Sequence, residues 1–143
     1  MRSRVFLWTA SIVALFQFVA HTILLVFYVP THGPGETALV EAMKSQLFDF
    51  GGRIHSYWDL YFGYGLFAAF NCLIEGVLFW QLSTISMINP SRIRPIVALF
   101  LLGNVGYAIL VWRYFFLTPI VPDIAIAICL GLALISSRSR ASA

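Results

Sequence analysis

Residues 57–116, YWDLYFGYGLFAAFNCLIEGVLFWQLSTISMINPSRIRPIVALFLLGNVGYAILVWRYFF, hold two long apolar runs around one short polar connection. The runs 57–84 and 93–116 each exceed the roughly 20 residues that an α-helix needs to cross about 30 Å of hydrocarbon. Between them Asn89-Pro90 and Arg94-Pro95 interrupt helix, because proline lacks a backbone donor and pushes the preceding residue out of the helical region. Two spans on so short a tether return antiparallel, as a transmembrane hairpin.

Outward from this hairpin the pattern repeats once on each side. Upstream, residues 5–29 form an apolar run preceded by Arg2 and Arg4. A signal peptide has the same basic start, but its apolar core is only about 7–15 residues long and ends in a small-x-small cleavage site, which is not evident here. The run is therefore expected to remain as a first span. Downstream, residues 119–135 follow Thr118-Pro119 and are just long enough to cross. The expectation is an all-α membrane protein, a four-helix transmembrane bundle forming a single domain over residues 1–143. Composition points the same way: 60% of the residues are hydrophobic, 10% are charged and the mean hydropathy is +0.87, against roughly 25% charged residues in a soluble domain.

The pairs Arg2/Arg4, Arg92/Arg94 and Arg138/Arg140 each flank an apolar run with no acid beside them. Basic residues in short loops stay on the cytoplasmic side, so both termini and the second loop are expected there. The same pairs account for the formal charge of +3 without a nucleic-acid partner. The first loop mixes Lys44 and Arg53 with Glu36, Glu41 and Asp49, which places it outside. Running from Pro30 to Ser56, it is too long for a plain connection. Within it Leu39, Val40, Met43, Leu47 and Phe50 recur at helical spacing, predicting an extracytoplasmic amphipathic helix over 37–50, between the first two spans. Such a helix either lies on the membrane surface or caps the bundle.

Polar side chains inside a span are costly in hydrocarbon and turn toward the bundle interior. Counted at ~1.5 Å per residue from the outer helix ends, Gln17, Asn71 and Asn104 fall at one level, roughly 18–21 Å deep. Glu75 lies one turn below Asn71, level with Ser11, and no Lys or Arg shares its depth. His21 is the histidine that falls within a span, level with Tyr64. These five, Gln17, His21, Asn71, Glu75 and Asn104, are the candidate ligand-binding residues. Their amides also serve as plain interhelical hydrogen-bond donors, worth about 0.6–2 kcal/mol per contact. Asp59, Arg113 and Asp123 all count close to the outer ends and are expected to form a structural ion-pair ring there. Ser56 and Asp59 also have the spacing of a helix capping box. Asp59 and Glu75 are ~24 Å apart along one helix, which excludes a paired-carboxylate site.

No catalytic residue is assigned. The two cysteines, Cys72 and Cys129, lie within apolar runs and share no CxxC spacing, so they read as small core residues. No metal-ligand spacing occurs, and haem between membrane helices usually takes two axial histidines, so no cofactor is expected. Trp8, Tyr28, Tyr57, Trp58, Trp80 and Trp112 cluster near span ends, as interfacial belts do. Gly63-Tyr64-Gly65 and Gly103-Asn104-Val105-Gly106 are expected to let the second and third spans approach closely.

At His21-Thr22, Pro30, Glu41-Ala42-Met43, Gly52 and Ser56-Tyr57-Trp58-Asp59-Leu60-Tyr61-Phe62-Gly63-Tyr64-Gly65-Leu66, the chain resembles a family of uncharacterised small bacterial four-helix integral membrane proteins. The resemblance implies a bacterial inner membrane location and brings no reaction with it. By architecture alone the chain is also similar to four-helix sterol-isomerase and sigma-2-receptor-like proteins, from which no residue carries over. Two classes of function remain. One is a non-enzymatic membrane module, either an accessory subunit to another membrane protein or a binder of a lipophilic small molecule among the membrane lipids. The other is a small membrane enzyme, an isomerase or quinone-linked oxidoreductase, using Glu75 or His21 for proton transfer.

Overall fold

The structure is a computed structural model and describes residues 2–138; Arg140 of the C-terminal basic pair lies outside them. The elements in order are α1 (Arg2–Val26), α2 (Pro34–Ser45), β1 (Leu47–Asp49), β2 (Ile54–Ser56), α3 (Tyr57–Ile88), α4 (Pro90–Tyr114) and α5 (Ile120–Arg138). Helices α1, α3, α4 and α5 are each long and apolar enough to cross a membrane, the make-up of a multi-pass membrane protein. The turn between α3 and α4 is tighter than the sequence predicts. Only Asn89, at φ −143°, interrupts helix, and Pro90 opens α4. Proline suits the first helical position, where its missing N–H has no partner to lose. Pro95 is absorbed one turn later and does not end the helix.

The described chain packs as two units, and α1 and α3 each run through both. The first unit comprises α1 as far as Gln17, α3 from Cys72, and all of α4 and α5. Its core draws on all four helices: Leu7, Ala10 and Ala14 of α1, Phe79 and Leu82 of α3, Ile93 and Val97 of α4, and Ile126, Leu130 and Ala133 of α5. Phe79 meets Phe100 edge-on at 5.5 Å, and Glu75 meets Asn104 one turn along, so α3 and α4 run antiparallel. Large apolar side chains such as Phe16, Leu102, Trp112 and Ile135 point outward and are about two-thirds exposed. That arrangement suits a hydrocarbon solvent, in which small residues pack between helices and large ones face lipid.

The close approach in this unit is not where the sequence predicts it. A Cβ placed on Gly103 or Gly106 would meet nothing within 4 Å. At Gly76 it would come within 2.7 Å of Leu15 of α1, and the Ser11 hydroxyl donates to the Gly76 carbonyl at 2.6 Å. In this unit glycine therefore serves the α1–α3 contact, while between α3 and α4 the contact is made by the Phe79 and Phe100 rings.

The second unit, Phe18–Asn71, contains the end of α1, α2, the two strands and the start of α3. His21 Nε2 donates to the Gly65 carbonyl at 3.1 Å, and Leu25 packs where a Gly65 side chain would stand. Between α1 and α2, Glu36 gathers four donors: the Tyr28 hydroxyl and the Thr31 and His32 backbone N–H groups, each at 2.6 Å, and His32 Nδ1 at 3.2 Å. The bond from Tyr28, followed by the backbone bond from His32, holds the Glu36 carboxyl down at about 2. The same hydrogen bond lifts the Tyr28 phenol to about 12.

Helix α2 starts earlier and ends earlier than the predicted 37–50. Gly33, at φ 93°, and Pro34 start it, and Gln46 leaves helical geometry. Val40 is buried, with Glu36 and Met43 partly covered one turn to either side, so this stripe faces protein. Residues 47–56 then form a hairpin, with Leu47 opposite Ser56, Phe48 opposite His55 and Asp49 opposite Ile54. Its turn needs positive φ at two positions, which Gly51 (66°) and Gly52 (87°) supply without steric cost. Phe50 N–H donates to the Arg53 carbonyl at 2.8 Å, and Asp49 Oδ1 accepts the Gly52 N–H at 2.7 Å. At the hairpin's end Ser56 and Asp59 form the capping box the sequence implies, with bonds of 2.8–3.1 Å in both directions.

Candidate functional site

The polar side chains of the first unit converge. Measured from the ends of the helices that carry the arginine pairs, Gln17 is fifteen residues along α1, Glu75 thirteen along α3, Asn104 fourteen along α4 and Asp123 fifteen along α5. At ~1.5 Å per residue these are heights of about 20–22 Å. Each long helix therefore contributes one polar side chain at the same level. Gln17 Nε2 donates to Asp123 Oδ1 at 3.1 Å, between helices 106 residues apart in sequence. Asn104 Nδ2 donates to Glu75 Oε2 at 3.4 Å and to the Phe100 carbonyl of its own helix at 3.0 Å. Asn104 is 1% exposed and Asp123 5%, while Gln17 and Glu75 are half-buried. The two acids are close enough for Asp123 to act electrostatically on Glu75, and both act on Cys72.

Two acids thus share one apolar layer, each anchored by an amide from another helix. Among the described residues neither has a salt bridge to a lysine, arginine or histidine. Such acids can present oxygen acceptors to a donor group on a ligand. Among the described residues no cluster of three or more metal-ligating side chains forms. Cys129 packs against the core, in keeping with a small core residue.

The layer differs from the predicted one in its membership. Gln17, Asn104 and Glu75 belong to it, whereas Asn71 and His21 lie in the second unit. His21 is held there by Gly65, and the Asn71 amide has no hydrogen bond among the described residues. The member that sequence reasoning misses is Asp123, which it expects in an outer ring with Asp59 and Arg113. Within the first unit Arg113 and Asp123 do not pair: Arg113 lies over the Tyr114 ring at 5.2 Å, and Asp123 is bonded to Gln17. Asp59 makes its bonds locally with Ser56, and the His55 imidazole stands 3.9 Å from its carboxylate. Counting depth from the outer ends misplaces Asp123, because α5 is the shortest of the four long helices and its first turn lies level with Gln17. Counting from the basic ends recovers the layer.

Between α4 and α5 an apolar groove runs along the first unit, lined by Leu101, Val105, Ile109, Trp112, Ile124 and Ile128 among others. Val105 and Ile124 are the chain neighbours of Asn104 and Asp123, so the groove passes beside the polar layer. No family model, no curated protein and no solved structure matches the chain.

Proposed function

We propose that this chain is a non-enzymatic module of the bacterial inner membrane, with both termini in the cytoplasm, which binds a lipophilic small molecule through its buried polar layer. The observation that carries the reading is the pair Glu75 and Asp123, held by Asn104 and Gln17 without a cationic partner among the described residues. Acids persist in hydrocarbon where they meet a partner or serve a function. The ligand's polar head would engage the carboxyls, and its apolar body would lie along the α4–α5 groove.

The test is native mass spectrometry with lipid extraction on gently solubilised protein. A stoichiometric small molecule is expected with the wild-type chain and absent from Glu75→Gln and Asp123→Asn. An empty wild-type monomer, or a ligand retained by both variants, would overturn the reading. A monomer that associates only with another membrane protein would point to an accessory subunit instead.

A second reading, a membrane isomerase or quinone-linked oxidoreductase, gains one specific observation. Proton transfer at Glu75 needs a second acid or base, and Asp123 lies at the same level of the first unit. Recovery of the copurified molecule chemically altered by the wild-type chain but not by Glu75→Gln would favour it.

A further inference from the structure

The hairpin of β1 and β2 is the one part of the first loop that turns large apolar side chains outward as a group. Leu47 is 65% exposed and Ile54 72%. Phe48, Phe50 and Tyr57 form an aromatic cluster on the other face, with ring centroids 4.8–6.0 Å apart, and each is still at least 36% exposed. Helix α2, which only Gln46 separates from β1, does the reverse. Its apolar Val40 and Met43 turn inward, and its outward positions are Thr37, Ala38, Glu41, Ala42, Lys44 and Ser45 with one large apolar residue, Leu39.

What covers the hairpin follows from where it is attached. Strand β2 ends at Ser56 and α3 begins at Tyr57, with no residue between them. Tyr57 is at once the first residue of a membrane-spanning helix and a member of the hairpin's aromatic cluster. The capping box clamps this junction, so the strands cannot swing freely from the helix. A span of this kind enters hydrocarbon within its first turns, and aromatic side chains gather at the boundary between acyl chains and headgroups. A two-stranded ribbon can sit at that boundary but not deeper, because its outer edges carry unpaired backbone groups that need water or headgroups.

We infer that the hairpin is a membrane-interface anchor whose aromatic face, Phe48, Phe50 and Tyr57, contacts phospholipid acyl chains, while α2 faces water above it. The sequence-based expectation leaves the helix over 37–50 either on the membrane surface or capping the bundle. The anchor's partner is lipid, and it is separate from the ligand layer of the first unit.

The test places the photoreactive p-benzoylphenylalanine at Phe48, Phe50 or Tyr57 in the full chain, reconstituted in nanodiscs of phosphatidylethanolamine and phosphatidylglycerol. Leu102, on the outward face of α4, serves as the lipid-facing reference and Glu41 as the water-facing one. Each variant is used only if it elutes as the wild-type chain does, and three cluster positions guard against the loss of any one. Irradiation is expected to add the mass of one phospholipid at the cluster positions with a yield near that of Leu102 and at least fivefold that of Glu41. Yields equal to that of Glu41 would overturn the anchor. So would cross-links to a second copy of this chain, which would make the hairpin a protein interface.

Discussion

Glu36 ties the end of α1 to the start of α2 through bonds that exist only while it is ionised and Tyr28 is protonated. The sign follows for each partner. With its carboxyl held at about 2 instead of the ordinary 4.5, Glu36 contributes fully above the ordinary value, and the contribution is lost as pH falls from there through about 2. With its phenol raised from 10.0 to about 12, Tyr28 contributes fully below 10 and loses this as pH rises through about 12. The clasp is therefore strongest between about pH 5 and 10. In a spectrophotometric titration of the six tyrosines, Glu36→Ala should show one additional phenol ionising near 10 that the wild-type chain withholds until about 12. Identical curves would show the clasp absent. The bond from Gln17 to Asp123 is the second residue-scale test. Gln17→Leu should cost roughly 0.6–2 kcal/mol in detergent unfolding, and Asp123→Leu on top of it should cost less than the two single changes summed. At this scale the sequence was legible wherever neighbours lie on one helix. The Ser56–Asp59 box follows from spacing. Asp123 was not legible, because its partner lies on a helix more than a hundred residues away and its height depends on where α5 begins.

Among the elements, the four long helices were readable from their apolar runs, since no other backbone satisfies its own hydrogen bonds over that length in hydrocarbon. The first loop was readable only in part. Leu47 and Phe50 continue the helical spacing of α2, but Leu47-Phe48-Asp49-Phe50 followed by Gly51-Gly52 also alternates into a two-residue turn. The paired glycines decide between them, because two consecutive positive φ angles end a helix and close a hairpin. Helix contacts were misread for a related reason: small residues permit close approach but do not say to which neighbour. That difference is measurable. Gly76→Ala and Gly103→Ala gain the same helix propensity, yet only the first places a Cβ against Leu15. Thermal unfolding in one detergent should find Gly76→Ala less stable than Gly103→Ala by about 1–3 kcal/mol, the usual scale of overpacking. Equal stabilities would remove the close α1–α3 contact.

For the molecule as a whole, the proposed topology has four spans carry the chain across the bilayer an even number of times, which puts its two ends on one side. The arginine pairs at both ends and in the α3–α4 turn favour the cytoplasm for that side. A fluorescent reporter fused after Ala143 should accordingly fold in the cytoplasm, and a tag inserted between Gly51 and Gly52 should be cleaved by protease added outside intact spheroplasts. The opposite pattern would invert the topology, and a mixed pattern would remove one span. The even count also bears on the order in which the chain is made. Gln17 leaves the ribosome in α1, and Asp123 arrives only in α5, after every intervening span. Until that moment the Gln17 amide must take lipid, water or another helix as its partner, and Asp123 has no place in hydrocarbon when it comes. The contact between them therefore forms only after α5 has joined the bundle: a chain stopped short of α5 leaves the Gln17 amide without its Asp123 acceptor.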